Sequence, residues 1–215
     1  MGIIVPFNPL DKANLAESIE HALVSSAPVA LRNLERFNGA GIYALYYEGD
    51  FPAYERLVQY NKLLLELPIY VGKADAKGRR KGGGFLVEGI QGTTLWARLC
   101  QHAKSIEQTE NLDLDDFTCR FLVIDDLWVS LGESLLISKY APVWNNLVDG
   151  FGNHDPGKGR LSGMRPRWDT LHPGREWAMR LSPNPMQPSQ IINEIKNDLE
   201  SRYEVVPNFN SAFRQ

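Results

Sequence analysis

The amino-acid sequence predicts one elaborated α/β (α+β) domain, and three observations carry that expectation. Its 215 residues suffice for a domain of about 150 residues with additions. Apolar residues make up 43% and charged residues 23%, with 18 Gly and 13 Pro, which is the balance of a globular chain. Short β-branched and aromatic runs, which read as strands, alternate with longer stretches whose apolar residues recur every three or four positions, which read as helices.

Taken in order, Asp11 to Leu23 places Leu15, Ile19, Ala22 and Leu23 at helical spacing, with Asp11 at the amino end as a cap. Asn38-Gly39 supplies turn chemistry before Ala40 to Tyr47, AGIYALYY, a strand. Asp50-Phe51-Pro52 opens a helix in which Tyr54, Leu57, Val58, Asn61, Leu64 and Leu65 recur, and Leu67-Pro68 ends it. Ile69 to Gly72 is a second short strand, and Lys73 to Gly92, with six glycines and the tract KGRRKGGG, is a loop or an extended arm. Thr94 to Ile106 is a helix striped by Leu95, Leu99, Ala103 and Ile106, with Thr93 or Thr94 as its cap. Phe117, Cys119, Phe121 and Val123 alternate with Thr118, Arg120, Leu122 and Ile124 as a strand requires. Ser130 to Tyr140 returns to helical spacing and stops before Pro142. The segment from Asp149, DGFGNHDPGKGR, and the proline-rich stretch up to Pro188 predict a wrapped, largely irregular extension, closed by a helix through Ile191, Ile192, Ile195 and Leu199 with Ser189 as cap. The chain thus divides into an amino-terminal helical part (8–36), a core (about 38–148) and an extension (149–215) within one domain.

Composition excludes several classes. Cys100 and Cys119 are the only thiols, too few for a disulfide framework or a four-cysteine metal site. The opening MGIIVPFNPL has neither a cationic segment nor a long apolar run, and no stretch approaches the ~20 apolar residues a membrane span needs, so a cytoplasmic protein is expected. The net charge is -3, but it is unevenly spread. Lys73 to Lys104 carries seven basic residues against two acidic, Ser105 to Leu135 one against eight, and Leu136 to Arg180 seven against four. Two basic regions flanking an acidic one suit a polyanion bound on one face; chance clumping on a solvated surface is the bland alternative.

Chemistry-bearing residues converge on two tyrosines, Tyr43 and Tyr70, on neighbouring strands, and on Arg98 and His102, which are four apart and share a helical face. Glu133 lies on a further helix. Gly41-Ile42-Tyr43 and Tyr70-Val71-Gly72 resemble the two strand motifs of the GIY-YIG nuclease superfamily, with valine in place of the usual second isoleucine. Arg98, His102, Glu133 and Asn145 follow in the order of that family's helix pair, metal-ligand glutamate and downstream asparagine. The resemblance implies a small central antiparallel sheet of the GIY-YIG type flanked by helices. The 26 residues between Tyr43 and Tyr70 replace the family's usual short hairpin, so the helix there is an insertion, serving a dimer interface, DNA, or only as a lid over the sheet. This insertion, the basic arm, and the tail motifs Asp149 to His154 and His172 to Trp177 are similar to the type II restriction enzymes of the superfamily, in particular the SacII isoschizomers, which cut CCGCGG.

That resemblance implies an assignment for each site residue. Tyr43 accepts a proton from the attacking water, as a phenolate or by passing its own proton to His102. Arg98 grips the scissile phosphate with a fork lysine cannot reproduce. Glu133 holds one Mg²⁺, for which Mn²⁺ can substitute, beside the leaving oxygen. Tyr70 positions phosphate or water, and Asn145 orients backbone or a metal-bound water. Lys73 is a further phosphate candidate. The basic arm, Lys77, Arg79, Arg80 and Lys81, and the tail, Lys158, Arg160, Arg165, Arg167 and Arg175, are candidate DNA contacts, reading bases or phosphates. A palindromic double-stranded target implies a homodimer, and a cognate DNA methyltransferase is expected in the same restriction-modification system without a stable complex. Other readings are a structure-specific repair or mobile-element nuclease and a noncatalytic DNA-binding protein on a nuclease scaffold. A zinc site built on His154 and His172 lacks partners at ligand spacing.

Overall fold

In the computed structural model, which describes residues 11–76, 92–155 and 163–204, four antiparallel strands form one sheet in the order β1-β4-β2-β3. They are β1 (Val29–Ala30), β2 (Gly41–Tyr47), β3 (Tyr70–Ala74) and β4 (Phe117–Val123). The helices are α1 (Lys12–Ser25), α2 (Glu55–Leu64), α3 (Thr94–Glu107), α4 (Asp126–Tyr140), α5 (Val143–Asn146), α6 (Arg167–Leu171), α7 (Glu176–Met179) and α8 (Pro188–Arg202). The mixed fold and its antiparallel sheet are those expected from the sequence.

Every residue of β2 is buried, because β2 is flanked by strands on both edges and covered on both faces. Tyr43, Leu45 and Tyr47 enter the larger core with Leu95 and Leu99 of α3, Trp144 of α5, Phe151, Trp168 of α6 and Ile195 of α8. Ile42, Ala44 and Tyr46 enter a smaller core with Leu23 of α1, Val71, and Val129 and Leu136 of α4. Alternation along the strand therefore assigns the two faces, as the pleat demands.

Several boundaries differ from the sequence reading. Strand β1 has only two residues, too few for a period, and pairs Val29 with Cys119. Helix α2 begins at Glu55 after a turn through Pro52, and ends where Leu65 adopts a left-handed conformation (φ 50°). Its buried Asn61 donates to Tyr47 O (3.1 Å) and Leu67 O (2.9 Å) and accepts from Leu67 N (2.8 Å), stapling the insertion to β2 and to the approach to β3. With α2 packed on β2 and α8, the lid reading fits its buried side, where Leu57 and Val58 lie, while Leu63 and Leu64 remain exposed. Helix α4 starts four residues earlier than Ser130, capped by the Asp125 carboxylate accepting from Leu127 N at 2.8 Å. Thr94 Oγ1 donates to Gly39 O rather than capping α3, and Ser189 lies inside α8, whose cap position is Gln187. The extension is less irregular than expected, since α6 and α7 lie within it. Among the described residues, no helix is long and apolar enough to cross a membrane.

Candidate active site

The long insertion does not separate the two tyrosine motifs. Strands β2 and β3 pair directly, with Tyr43 opposite Gly72. A Cβ on Gly72 would stand 2.4 Å from Tyr43 Oη and 2.9 Å from Tyr70 Cε1, so the glycine exists to let the Tyr43 ring lie across its neighbour strand. The tyrosine ring centroids are 6.2 Å apart. Asn145 closes the open edge of β3: its Oδ1 accepts from Val71 N and its Nδ2 donates to Val71 O, both at 2.8 Å. Of the two roles the resemblance offered this residue, it fills the backbone-orienting one, taking the place of a fifth strand beside Tyr70.

Helix α3 brings His102 beneath this pair. Tyr43 Oη lies 2.5 Å from His102 Nε2 inside the protein. Burial, followed by the neighbouring Tyr70, drives the Tyr43 hydroxyl well above its ordinary value, against the pull of Arg98. Burial, then the charges of Arg98, His154 and Arg175, drive His102 well below the ordinary histidine range. Both effects favour the same state, a neutral tyrosine donating to the free ring nitrogen of a neutral histidine. Tyr70 is likewise raised by burial and drawn down by Arg98. Arg98, one helical turn before His102, thus presents its charge to both hydroxyls.

The segment after α5 supplies the opposite wall. Phe151 stacks on the His102 ring with centroids 4.4 Å apart and planes 18° apart, and meets Tyr70 edge-on at 5.0 Å. Gly152 O accepts from Arg98 Nη2 at 3.1 Å, and Arg98 Nη1 is 2.6 Å from His154 Nε2. A Cβ on Gly152 would press within 3.0 Å of Tyr70 Oη and 3.1 Å of Arg98 Nη2.

Arg175 holds this wall, and its assignment as a DNA contact is corrected. It is 1% exposed, and all five of its N–H donors are spent inside the protein. Nε and Nη2 pair with the Asp169 carboxylate at 2.6 Å, while Nη1 and Nη2 donate to the carbonyls of Phe151, Asn153 and Gly150 at 2.9–3.2 Å. Its guanidinium also lies over Trp168 (4.4 Å) and Trp177 (4.8 Å). The two tail motifs read separately in the sequence are therefore two halves of one interlock.

On the other side of β3, Lys73 Nζ contacts Glu133 Oε2 at 3.0 Å and donates to Ser130 Oγ at 3.1 Å. Glu133 is close enough to both tyrosines for its charge to oppose their ionisation. Among the described residues, no three His, Cys, Asp or Glu side chains gather as a metal cage. One carboxylate as a hard oxygen donor fits Mg²⁺, which keeps several of its waters, and the lysine ammonium against it shows that this position accepts a cation. His154 and His172 lie apart in function. His172 is in the core, with Nδ1–H donating to Asn111 Oδ1 (2.9 Å) and Nε2 accepting from Tyr54 Oη (2.7 Å), which in turn accepts from Trp144 Nε1 (2.8 Å). Arg165 donates to the carbonyls of Ala178 and Met179, and Arg167 pairs with Glu194. Lys77, Arg79, Arg80, Lys81, Lys158 and Arg160 lie outside the described residues.

A family model described as the Eco29kI GIY-YIG domain matches residues 35–199. The chain belongs to the Eco29kI GIY-YIG family. It is accordingly a nuclease of the restriction-endonuclease kind, and its partner is DNA. The match to the Eco29kI family spans α2 and the tail into α8, so the insertion and the interlock lie within the matched region. No curated protein matches the chain. Phe151 and Gly152 are site residues that the sequence does not mark, and His154, which the sequence offers only as a zinc ligand, lies instead against Arg98; nothing in the spacing of Phe-Gly-Asn-His points to α3.

Proposed function

We propose that the protein is a type II restriction endonuclease that cuts both strands of a palindromic DNA site, CCGCGG, by Mg²⁺-dependent hydrolysis. The reading is supported above all by the buried contact between Tyr43 Oη and His102 Nε2 at 2.5 Å, within reach of the Arg98 charge. Family membership supports the target, because the restriction endonuclease Eco29kI is a SacII isoschizomer.

In this mechanism the attacking water gives a proton to Tyr43 Oη as the Tyr43 proton passes to His102 Nε2, leaving hydroxide at phosphorus, a neutral tyrosine and an imidazolium. The imidazolium is costly beside Arg98 and Arg175, and the negative scissile phosphate offsets that cost once DNA is bound. Arg98 binds the phosphoryl oxygens, Tyr70 positions them by its hydroxyl, and Lys73 adds a second cation. Glu133 would hold Mg²⁺, which when bound would supply the positive charge that stabilises a departing oxygen. Asn145 keeps β3, and with it Tyr70, in place. A palindromic target is cut by a homodimer with one such site per strand, and a cognate methyltransferase protects host DNA.

DNA contacts, to bases or to phosphates, fall to the basic arm and tail, in which Arg165 and Arg167 are the described members and each also holds a partner within the protein. Incubation with Mg²⁺ and plasmids carrying or lacking CCGCGG, followed by sequencing of the ends, tests the whole reading. Cuts confined to CCGCGG are expected. Cuts at another site replace the target, preference for branched DNA replaces the class of nuclease, and binding without any cleavage replaces the activity.

A further inference from the structure

Nothing in the packing of the protein requires a histidine at position 154, because its ring is exposed. Its Nε2 nevertheless lies 2.6 Å from Arg98 Nη1, while Gly152 O takes Nη2 at 3.1 Å and Gln101 Oε1 lies 3.4 Å from Nη1. With an acceptor on each terminal nitrogen, the plane of the guanidinium is fixed before any ligand arrives. Two of these acceptors come from one short segment, and that segment is anchored by the fully committed, buried Arg175. The choice of side chain is informative. A carboxylate at this position would hold Arg98 as firmly but would cancel the charge that a phosphate needs. A neutral imidazole accepts the same hydrogen bond and leaves the full positive charge available.

We infer that His154 is a positioning residue that aims the Arg98 fork at the scissile phosphate, from a segment pinned in place by the Arg175–Asp169 ion pair. The inference rests on the phosphate-binding role given to Arg98 above. The groups facing His154 are Arg98 on α3, Arg175 and the neutral His102; burial, Arg98 and Arg175 all lower its affinity for a proton, which keeps the acceptor form.

The test compares His154→Ala, His154→Gln and His154→Asp in the full chain. Single-turnover cleavage of CCGCGG duplex is measured with Mg²⁺, and duplex affinity without divalent metal. Loss of orientation lowers the His154→Ala cleavage rate by about ten- to a hundredfold, with affinity nearly unchanged. His154→Gln, whose amide oxygen accepts without charge, restores the rate to within a few-fold, and His154→Asp does not. A wild-type rate in His154→Ala, a His154→Gln as slow as His154→Ala, or rescue by His154→Asp overturns the inference. An independent readout is the ring titration of His154 by NMR, which lies below the ordinary histidine value and rises when Arg98 is replaced by alanine; an unmoved titration also overturns it. If the wild-type protein cleaves no DNA, the functional reading fails, whereas the titration still decides whether His154 and Arg98 are coupled.

Discussion

Tyr43 and His102 hold each other neutral among buried side chains, and the cost of that arrangement makes single substitutions informative. Tyr43→Phe removes the hydroxyl and leaves His102 Nε2 buried without its donor. Cleavage should fall by about 10²–10⁴, and stability by about 1–3 kcal/mol, while DNA affinity persists. Single-turnover kinetics and a denaturant midpoint measure the two effects, and a wild-type rate removes Tyr43 from the relay. Glu133→Gln should bind DNA yet lose nearly all Mg²⁺-dependent cleavage, since the amide supplies no anionic ligand and Lys73 loses the partner it holds at 3.0 Å. Gel-shift and cleavage assays on one preparation separate these outcomes. At this scale much was legible in the sequence. The four-residue spacing of Arg98 and His102 puts them on one face whatever the surroundings, and the tyrosine motifs announce themselves. Arg175 was not legible: its partners are a carboxylate six residues away and three carbonyls in an irregular segment, and no local pattern encodes such a meeting.

Among the elements, β3 is the edge of the sheet and carries Tyr70, so the site is only as firm as that edge. Asn145 satisfies both polar groups of Val71 and keeps the edge from fraying. Asn145→Ala should cost about 1–3 kcal/mol, as the freed backbone groups are partly shielded from water. It should also slow cleavage without weakening duplex binding, and raise amide exchange at Val71 selectively. Uniform exchange across the sheet would make Asn145 a general stabiliser instead. Strand β4 was legible from its alternation, and β2 from a β-branched and aromatic run that follows the Asn38-Gly39 turn. Strand β1 was not, since two residues have no period, and the start of α4 was missed because Asp125 marks it through a cap rather than through apolar spacing.

Across the whole molecule, two histidines are buried in neutral form. Burial lowers His172 to about 3, and His102 lies well below its ordinary range. In the unfolded chain both take up protons near pH 6.5. Their folded-state values are depressed, so the folded protein is fully favoured above pH 6.5 and loses stability as the pH falls towards 3. His172 alone should remove about 1.4 kcal/mol per pH unit in that window, about 2 kcal/mol by pH 5. Urea unfolding at pH 7.5, 6 and 5 measures the slope, and His172→Phe should flatten it; an unchanged slope in that variant would assign the acid sensitivity to other groups.

The same histidine has a consequence for how the enzyme comes into being. His172 meets Tyr54 from 118 positions away, and Arg175 reaches back to the carbonyls that face α3. Contacts of such long sequence separation carry a loop-closure cost, and during synthesis they cannot form until the ribosome has released the last third of the chain. A nascent polypeptide that already carries Tyr43, Tyr70, Arg98, His102 and Glu133 still lacks Phe151 behind its histidine, and around its arginine it has Gln101 but neither Gly152 nor His154. A nuclease built this way completes its candidate site only when the last part of the chain has been made.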